Sequence, residues 1–138
     1  MSVPVRTLME QLTREEKVRL VAGHDMWTTV AIPRLGIPAL KVTDGPNGAR
    51  GGSFSGKTAA CFPCGSALAA TWDVDLVEKV CEALGDEVRA KGARMLLAPT
   101  VNIHRTVLAG RNFECFSEDP HLSARMAVAY VQGVQSRR

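Results

Sequence analysis

Asp44 and Arg111 are the residues whose types and settings most favour a chemical role. Each follows an apolar segment and lies in a stretch rich in Gly and Asn. A carboxylate accepts hydrogen bonds from neighbouring hydroxyls, and a guanidinium donates them in a fixed fork. The two side chains could therefore form a clamp for sugar hydroxyls, although a simple structural ion pair fits the same residues.

Glu114 and Glu118 offer a second hypothesis, because glycoside hydrolysis uses a pair of carboxyl groups. We favour structural roles instead: Glu114 would pair with a nearby cation, and Glu118 would belong to the turn before a helix. The three histidines, at 24, 104 and 121, lack the spacing of metal ligands. His104 lies in a long loop and could orient it. The sequence therefore predicts no metal site.

Residues 51–58 match the phosphate-loop pattern G-x-x-x-x-G-K-[ST]. Such a loop needs a strand directly before it and a helix that begins at the Lys-Thr pair, so that backbone N–H groups meet the phosphates. Here Gly48-Ala-Arg50 precedes the motif, and Pro63 and Gly65 follow soon after it. We therefore expect an irregular loop and not a nucleotide site.

Four cysteines stand at positions 61, 64, 81 and 115. Cys61 and Cys64 could be half a zinc site or a redox pair, but the other two are isolated in sequence. Pro63 and Gly65 are unfavourable for a helix that begins at this pair, as a redox motif would require. Buried thiols are the preferred interpretation, and Cys81 in particular lies on an apolar helical face.

The chain has 138 residues, a formal charge of +3, 46% hydrophobic residues and 22% charged residues. This composition is typical of one globular domain or a piece of a larger one. A slight positive charge without a dense basic block argues against nucleic acid as a partner. No apolar run is long enough to cross a membrane. The first residues lack the features of a secretion signal, and we therefore expect a cytoplasmic location.

Hydrophobic periodicity and capping signals predict alternating helices and strands. Thr13 and Glu16 form a capping box at the start of a helix that ends at Gly23. The further elements are a short first helix around Leu8 and Leu12, a strand over 39–43, a helix from Asp73 to Gly92, an apolar strand over 95–98 and a helix opened by Asp119-Pro120. A long loop follows each strand. This alternation favours a parallel α/β fold, in which ligands bind at the carboxyl ends of the strands.

Several longer motifs carry a specific resemblance. In chain order they are Asp44-Gly-Pro-Asn-Gly-Ala-Arg50, Ala60-Cys-Phe-Pro-Cys-Gly65 with Ala69-Ala-Thr-Trp-Asp73, Ala98-Pro-Thr-Val-Asn-Ile-His-Arg105, and Gly110-Arg-Asn-Phe-Glu-Cys-Phe-Ser-Glu-Asp-Pro120. This succession resembles the N-terminal part of glycoside hydrolase family 3 β-glucosidases, and the resemblance covers nearly the whole chain.

The resemblance implies a set of substrate-binding residues and no catalytic residue in this chain. Asp44 and Arg111 would bind hydroxyls of the terminal glucose. The lesser wall positions would be Arg50 and Leu97, and the loop-bracing positions would be His104 and Glu114. The family's nucleophile and general acid/base would come from outside the 138 residues.

The implied fold is α/β: the opening βα units of a TIM-like (β/α)₈ barrel, incomplete in this chain, so that residues 1–138 form a partial N-terminal domain with an uncovered apolar sheet face. The implied function is that of an N-terminal fragment of a retaining, exo-acting β-glucosidase. It would bind β-glucosides or oligosaccharides, use no cofactor and be inactive as an isolated chain. Alternatives are a non-catalytic carbohydrate- or partner-binding remnant and, less favoured, a nucleotide-binding protein. The aglycone and the oligomeric state are left open.

Overall fold

A computed structural model describes residues 4–50 and 58–137, in which helices and strands alternate. In chain order the elements are α1 (Val5–Gln11), α2 (Arg14–Ala22), β1 (Val42–Asp44), α3 (Gly65–Ala69), α4 (Val74–Ala90), β2 (Met95–Leu97) and α5 (Pro120–Ser136). Two single 3₁₀ turns lie before β1 and after β2, at Pro33–Leu35 and Asn112–Glu114. The two strands pair in parallel, which confirms the predicted α/β architecture with parallel strands.

Helix α2 begins at the capping box that the sequence predicts. The Glu16 N–H donates to the Thr13 hydroxyl at 3.2 Å, and the Thr13 N–H donates to the Glu16 carboxylate at 2.9 Å. Arg34 binds the same carboxylate and also donates to the Gln11 carbonyl oxygen, 2.9 Å away. Chiefly because of the hydrogen bond from Arg34, the pKa of Glu16 falls to about 2. Gly23, with a φ of +81°, ends the helix where expected.

Strand β1 begins three residues later than the sequence predicts. The segment before it pairs with residues 28–29: Lys41 forms an isolated antiparallel bridge with Thr28, and the Leu40 carbonyl oxygen accepts a hydrogen bond from residue 29 at 2.9 Å. The register of the parallel strand pair starts at Val42. Asp44 is the last residue of the strand, one residue beyond the range 39–43.

The strand pair has one face against the helices and one open face. Thr43 and Leu96 are register partners; Thr43 is fully buried, and Leu96 packs half-buried against the core. Because side chains alternate between the faces of a strand, Met95 and Leu97 lie on the other face, where they are 52% and 51% exposed. Both apolar side chains on this face are therefore about half exposed; the predicted incomplete barrel stays a prediction.

Helices α4 and α5 pack against each other and form most of the core. Asp73 caps α4 and Asp119 caps α5, as predicted: the Asp73 carboxylate accepts one backbone N–H hydrogen bond from the first turn, and that of Asp119 accepts two. Buried residues recur at helical spacing on the facing sides: Val77, Cys81, Leu84 and Val88 on α4, and Leu122, Met126, Ala129 and Tyr130 on α5. Cys81 is fully buried, as predicted, and burial raises the pKa of its thiol to about 12.

Two glycines let α4 and α5 approach closely. A Cβ on Gly133 of α5 would overlap the Glu78 carbonyl oxygen and would lie 2.8 Å from the Cys81 Cβ. A Cβ on Gly85 of α4 would lie 2.8 Å from the Val134 carbonyl oxygen. Since real Cβ atoms do not approach other atoms so closely, the two helix backbones are in direct contact at this crossing.

Two predictions about the Cys61–Cys64 segment are wrong. Pro63 and Gly65 do not prevent a helix: α3 begins at Gly65 with Cys64 as its N-cap residue, because Pro63 lies outside the helix. The two thiols are also not buried, since Cys61 is exposed and Cys64 is half-buried. A hydrogen bond with the Ser66 hydroxyl, 3.3 Å away, together with backbone N–H groups lowers the pKa of the Cys64 thiol.

The phosphate-loop motif falls almost wholly on residues 51–57, which lie outside the described part of the chain. Its flanks are described: residues 45–50 form a turn without a strand, and residues 58–64 contain no helix. Both observations agree with the reasons for rejecting a nucleotide site, while the conformation of the motif itself stays a prediction. In the same described ranges, no helix has the length and apolar character needed to cross a membrane.

We predict that Gly133→Ala destabilises the protein, although alanine is the better helix former. Alanine is favoured over glycine in a helix by about 1 kcal/mol. The added Cβ would collide with the α4 backbone, however, and overpacking of this kind costs about 1–3 kcal/mol. Urea unfolding followed by circular dichroism should therefore show a lower midpoint for the variant.

Gly110→Ala is the matched control. A Cβ at Gly110 meets no atom within 4 Å, and its φ is not positive. The control should change the free energy of unfolding by less than about 0.5 kcal/mol. Equal midpoints for the two variants would show that α4 and α5 do not cross as closely as described.

Candidate functional site

The carboxyl ends of β1 and β2 form one edge of the sheet, where two of the predicted site residues lie side by side. Asp44 ends β1, Leu97 ends β2, and the two are register partners. Because the strands are parallel, the loops that follow them leave from the same edge. This common edge is what the sequence predicts for the two loops.

The turn after β1 fixes the backbone around Asp44. The Arg50 N–H donates to the Asp44 carbonyl oxygen at 2.9 Å and closes the turn. Gly45 has a φ of +132°, and a Cβ on it would overlap the Gly48 carbonyl oxygen. Only glycine satisfies both conditions. The glycines that follow Asp44 in the sequence are therefore required sterically by the turn next to this candidate site residue.

The Asp44 carboxylate is only lightly engaged. Its Oδ2 atom lies 3.6 Å from Arg50 Nη1, and the two side chains are 40% and 61% exposed. An exposed ion pair contributes about 0–1 kcal/mol. A ligand that offers hydroxyl donors can therefore compete with Arg50 for this carboxylate.

Two hydrogen bonds hold the turn after β1 against the rest of the fold. The hydroxyl of Tyr130, on α5, donates to the Pro46 carbonyl oxygen at 2.9 Å. The Phe62 N–H donates to the Asn47 carbonyl oxygen at 2.7 Å. Tyr130 is buried, and burial raises its pKa, so that the hydroxyl remains protonated as a donor. The helical core thus positions the turn directly.

Arg111 is held by a buried carboxylate. Its Nε and Nη2 atoms both donate to Glu114, and Nη2 lies 3.0 Å from Oε2. The Thr100 hydroxyl donates to the same Oε2 atom at 2.8 Å. The Arg111 side chain is 78% exposed, whereas that of Glu114 is 8% exposed. The largely exposed Arg111 guanidinium is thus hydrogen-bonded to the buried carboxylate of Glu114.

These contacts keep both side chains charged. The hydrogen bond from Arg111 lowers the pKa of Glu114 against the opposing effect of burial, and the Thr100 hydroxyl lowers it further. Glu114 in turn raises the pKa of Arg111, and the charge of Asp44 adds a smaller effect in the same direction. The predicted pairing of Glu114 with a nearby cation is confirmed. An ionised carboxylate committed to Arg111 is poorly suited to act as a general acid.

The 3₁₀ turn that carries Arg111 and Glu114 packs tightly against α3. A Cβ on Gly65 would overlap the Glu114 carbonyl oxygen, so the start of α3 touches the backbone of the turn. The Ser66 hydroxyl donates to the Phe113 carbonyl oxygen at 3.0 Å. The helix that the sequence analysis missed therefore supports the turn of a candidate site residue.

His104 holds the same turn within the loop after β2. Its Nε2 atom lies 2.7 Å from the Asn112 carbonyl oxygen, and its backbone N–H donates to Ser117 at 3.1 Å. The Asn112 side-chain amide donates to the Thr106 carbonyl oxygen at 2.8 Å. These contacts are of the kind that loop bracing requires. The role of His104 and Glu114 in bracing the loops of a sugar site stays a prediction.

Asp44 and Arg111 are not ion-paired with each other. Asp44 pairs with Arg50, and Arg111 pairs with Glu114. The interpretation as one simple ion pair is therefore wrong. Leu97 is the register partner of Asp44, and Arg50 is its ion-pair partner; the role of both as wall positions of a sugar site stays a prediction.

Sequence reasoning missed Thr100, Ser66 and Tyr130 as residues that position the site. Each acts through one hydrogen bond to a group far away in sequence, at separations of 14, 47 and 84 residues respectively. Periodicity marks Tyr130 as a core residue but cannot name its partner. Only Thr100 carried a usable signal, because it is a hydroxyl residue just beyond a strand end on the ligand-binding edge.

The groups at this edge suit a ligand with several hydroxyls. The Asp44 carboxylate accepts hydrogen bonds, Arg111 has N–H donors that Glu114 does not use, and Leu97 offers an apolar surface. Within residues 4–50 and 58–137, no three His, Cys, Asp or Glu side chains are grouped so that they could hold a metal ion.

Known proteins similar to this chain match it over almost its whole length. A protein of Rhizobium radiobacter named beta-glucosidase is 60% identical over 132 residues, which are 94% of this chain and 16% of that protein. Beta-glucosidase B of Emericella nidulans is 55% identical over 132 residues, which are 95% of this chain and 16% of that protein. The chain thus spans about a sixth of the length of these relatives.

Solved structures match the fold equally well. The beta-glucosidase of Kluyveromyces marxianus in complex with glucose superposes with a TM-score of 0.93 at 44% identity, over 98% of this chain and 16% of that chain. Beta-glucosidase 3B of Thermotoga neapolitana in complex with glucose gives a TM-score of 0.85 at 42% identity, over 96% of this chain and 21% of that chain.

The family assignment rests on nearly all of the sequence. Residues 7–138 match the family described as the glycosyl hydrolase family 3 N terminal domain. This match confirms the resemblance found in the sequence motifs, and the relatives bear names of the same enzyme class. The chain therefore belongs to glycosyl hydrolase family 3, to whose N-terminal domain its sequence corresponds.

Proposed function

We propose that this chain supplies the glucose-binding edge of a β-glucosidase that removes terminal non-reducing β-D-glucosyl residues. The observation that carries the proposal is the arrangement at the carboxyl edge of the sheet. Asp44 and Leu97 are register partners there, and Arg111 is held in the loop that leaves the same edge. These groups supply an acceptor, an apolar surface and a donor within one region.

Arg111 has donors to spare for a sugar. A guanidinium carries five N–H groups, of which Arg111 gives one from Nε and one from Nη2 to Glu114. Three therefore remain, two on Nη1 and one on Nη2, and the side chain is largely exposed. Vicinal hydroxyls of glucose could accept from these groups while donating to the Asp44 carboxylate.

Related structures support glucose as the ligand. The Kluyveromyces marxianus and Thermotoga neapolitana proteins, which superpose on this chain, were solved in complex with glucose. Both are named as β-glucosidases, so glucose is the sugar released in their reaction. We propose that glucose is likewise bound by the present chain, with Asp44, Arg111, Arg50 and Leu97 as the binding residues.

We further propose that the catalytic carboxyl groups of the complete enzyme come from polypeptide outside these 138 residues. A retaining glycosidase needs a nucleophile and an acid/base about 5–5.5 Å apart. Glu114 is engaged by Arg111 and Thr100, and Asp44 is proposed here as a hydroxyl ligand. The relatives are about six times as long as the matched region and can supply both groups.

The two parallel strands are proposed to be the opening units of a (β/α)₈ barrel, of which residues 1–138 form a part. Such a barrel takes about 250 residues. The open face with Met95 and Leu97 would line its interior. A cavity of about 520 Å³ beside β2, lined by residues that include Leu96, Tyr130 and Val134, would receive a further strand.

We predict that Asp44→Asn impairs a complete enzyme that contains this chain. The protein to use is a chimera in which residues 7–138 replace the matching part of the Rhizobium radiobacter relative. The substitution keeps the shape of the side chain but removes its charge. Since a hydrogen bond to a charged group contributes about 1.5–3 kcal/mol, kcat/KM for an aryl β-glucoside should fall by about 10- to 100-fold.

Asp75→Asn in the same chimera is the matched control. Asp75 is exposed on the first turn of α4, and the control should keep kcat/KM within about twofold because surface changes are usually small. An Asp44→Asn chimera as active as the control would remove Asp44 from the proposed subsite. A correctly folded chimera without any activity in the parent form would contradict the proposed function itself.

We predict that the isolated 138-residue chain does not hydrolyse aryl β-glucosides. Groups that only bind hold substrate and transition state similarly and lower the barrier little, and no acid and nucleophile pair is proposed within this chain. Release of the chromogenic aglycone should equal that of a buffer blank. Turnover by the purified chain that disappears on Asp44→Ala would mean that the chain contains its own catalytic pair.

A further inference from the structure

We propose that Thr100 is a positioning residue, which sets the direction of the Arg111 guanidinium through the Glu114 carboxylate. The inference rests on the proposed role of Arg111 as a sugar ligand and adds a residue to that subsite. Thr100 lies three residues after the end of β2, and its hydroxyl donates to Glu114 Oε2 at 2.8 Å. It reaches Arg111 only through that carboxylate.

Arg111 depends on Glu114 for its orientation because little else surrounds it. The Arg111 side chain is 78% exposed, so packing does not select one of its many rotamers. The two hydrogen bonds from Nε and Nη2 to one carboxylate are what fix the plane of the guanidinium. The direction of the remaining N–H groups therefore follows the plane of the Glu114 carboxylate.

The Glu114 carboxylate in turn needs a second partner to hold its plane. The terminal torsion of a glutamate side chain is broad, so a carboxylate bound to one mobile cation can rotate together with it. The Thr100 hydroxyl supplies a donor from a different segment of the chain, 14 residues away. One carboxylate oxygen is thereby tied to the exit of β2.

This link relates Arg111 to the rest of the edge. Thr100 belongs to the backbone that continues from Leu97, and Leu97 is the register partner of Asp44. Through Thr100 and Glu114, the free N–H groups of Arg111 are therefore oriented relative to the same strand pair that carries Asp44. The Thr100 hydroxyl thereby orients the proposed donor relative to the strand that lies beside the proposed acceptor.

The test compares Thr100→Val, which keeps the shape but removes the hydroxyl, with Thr100→Ser, which keeps the hydroxyl. Thr71→Val is the matched control away from the site, since the Thr71 hydroxyl makes a hydrogen bond of similar length, 2.7 Å, to the Leu68 carbonyl oxygen. If the valine does not fit, Thr100→Ala replaces it. Each variant is made in the 138-residue chain and in the chimera.

In the 138-residue chain, NMR reports on the link without any substrate. The Thr100→Val variant should raise the pKa of Glu114, measured from its side-chain carboxyl ¹³C signal, because the carboxylate loses a donor that favours its charged form. The Arg111 Nε–H signal should lose protection from exchange. Thr100→Ser and Thr71→Val should leave both signals as in the parent chain.

In the chimera, Thr100→Val should raise KM for an aryl β-glucoside about three- to tenfold, as expected for one lost hydrogen bond in the binding network. Thr100→Ser should restore the parent KM, and Thr71→Val should not change it. Equal behaviour of the valine and serine variants, in KM or in the Arg111 and Glu114 signals, would overturn the inference. Failure of the proposed function is seen separately, in a correctly folded parent chimera that has no activity.

Discussion

The direct contact between α4 and α5 is the constraint on which the candidate site depends. Gly133 and Gly85 allow the two backbones to meet, and the crossing buries the residues on which the strand pair rests. Tyr130 projects from the same helix as Gly133 and donates to the Pro46 carbonyl oxygen in the turn after Asp44. The packed helix pair is thus connected to the candidate site by the buried hydroxyl of Tyr130. A shift of α5 would move the donor and, with it, the turn.

The loop after β2 holds the cation of Arg111 in place although that side chain is largely exposed to solvent. Burying a charge is costly unless it is paired and hydrogen-bonded. Here the anion is the buried member: Glu114 accepts from Arg111 and Thr100, while Arg111 stays largely in solvent. The desolvation of one carboxylate is offset by its donors. The guanidinium keeps its remaining N–H groups available to a ligand.

The sequence predicts those features that local signals determine. Helices α2, α4 and α5 begin as expected because Thr13, Asp73 and Asp119 cap them from adjacent positions. The site residues Asp44 and Arg111 also stand out, since each combines a charged side chain with the loop at a strand end. The pairing of Glu114 was predictable because its cation lies only three residues away.

Features that depend on distant segments could not be predicted in the same way. Strand β1 is shorter than expected, and the residue before it, Lys41, forms a bridge with Thr28, a contact that no local pattern indicates. Helix α3 has five residues and little periodicity, and it is supported by the fit of Gly65 against the Glu114 backbone. Ser66 and Tyr130 could not be assigned their partners for the same reason, since those partners lie 47 and 84 residues away.

The two ion pairs at the edge, Asp44 with Arg50 and Arg111 with Glu114, differ in burial and in hydrogen bonding. This difference, and not charge alone, determines which residue is suited to bind a ligand and which to hold another residue in place. The pair of Asp44 and Arg50 is 3.6 Å long and exposed on both sides, so it contributes little and yields readily to another partner. The pair of Arg111 and Glu114 has two hydrogen bonds and one buried member, so it persists while a ligand binds. Recognition of hydroxyl groups is helped by both properties: the Asp44 carboxylate can leave Arg50 to accept from a hydroxyl, and the Arg111 guanidinium is held in place to donate to one. In the proposed subsite, binding would require the loss of one weak contact and little reorganisation, which is the advantage that a preorganised site has over a flexible one.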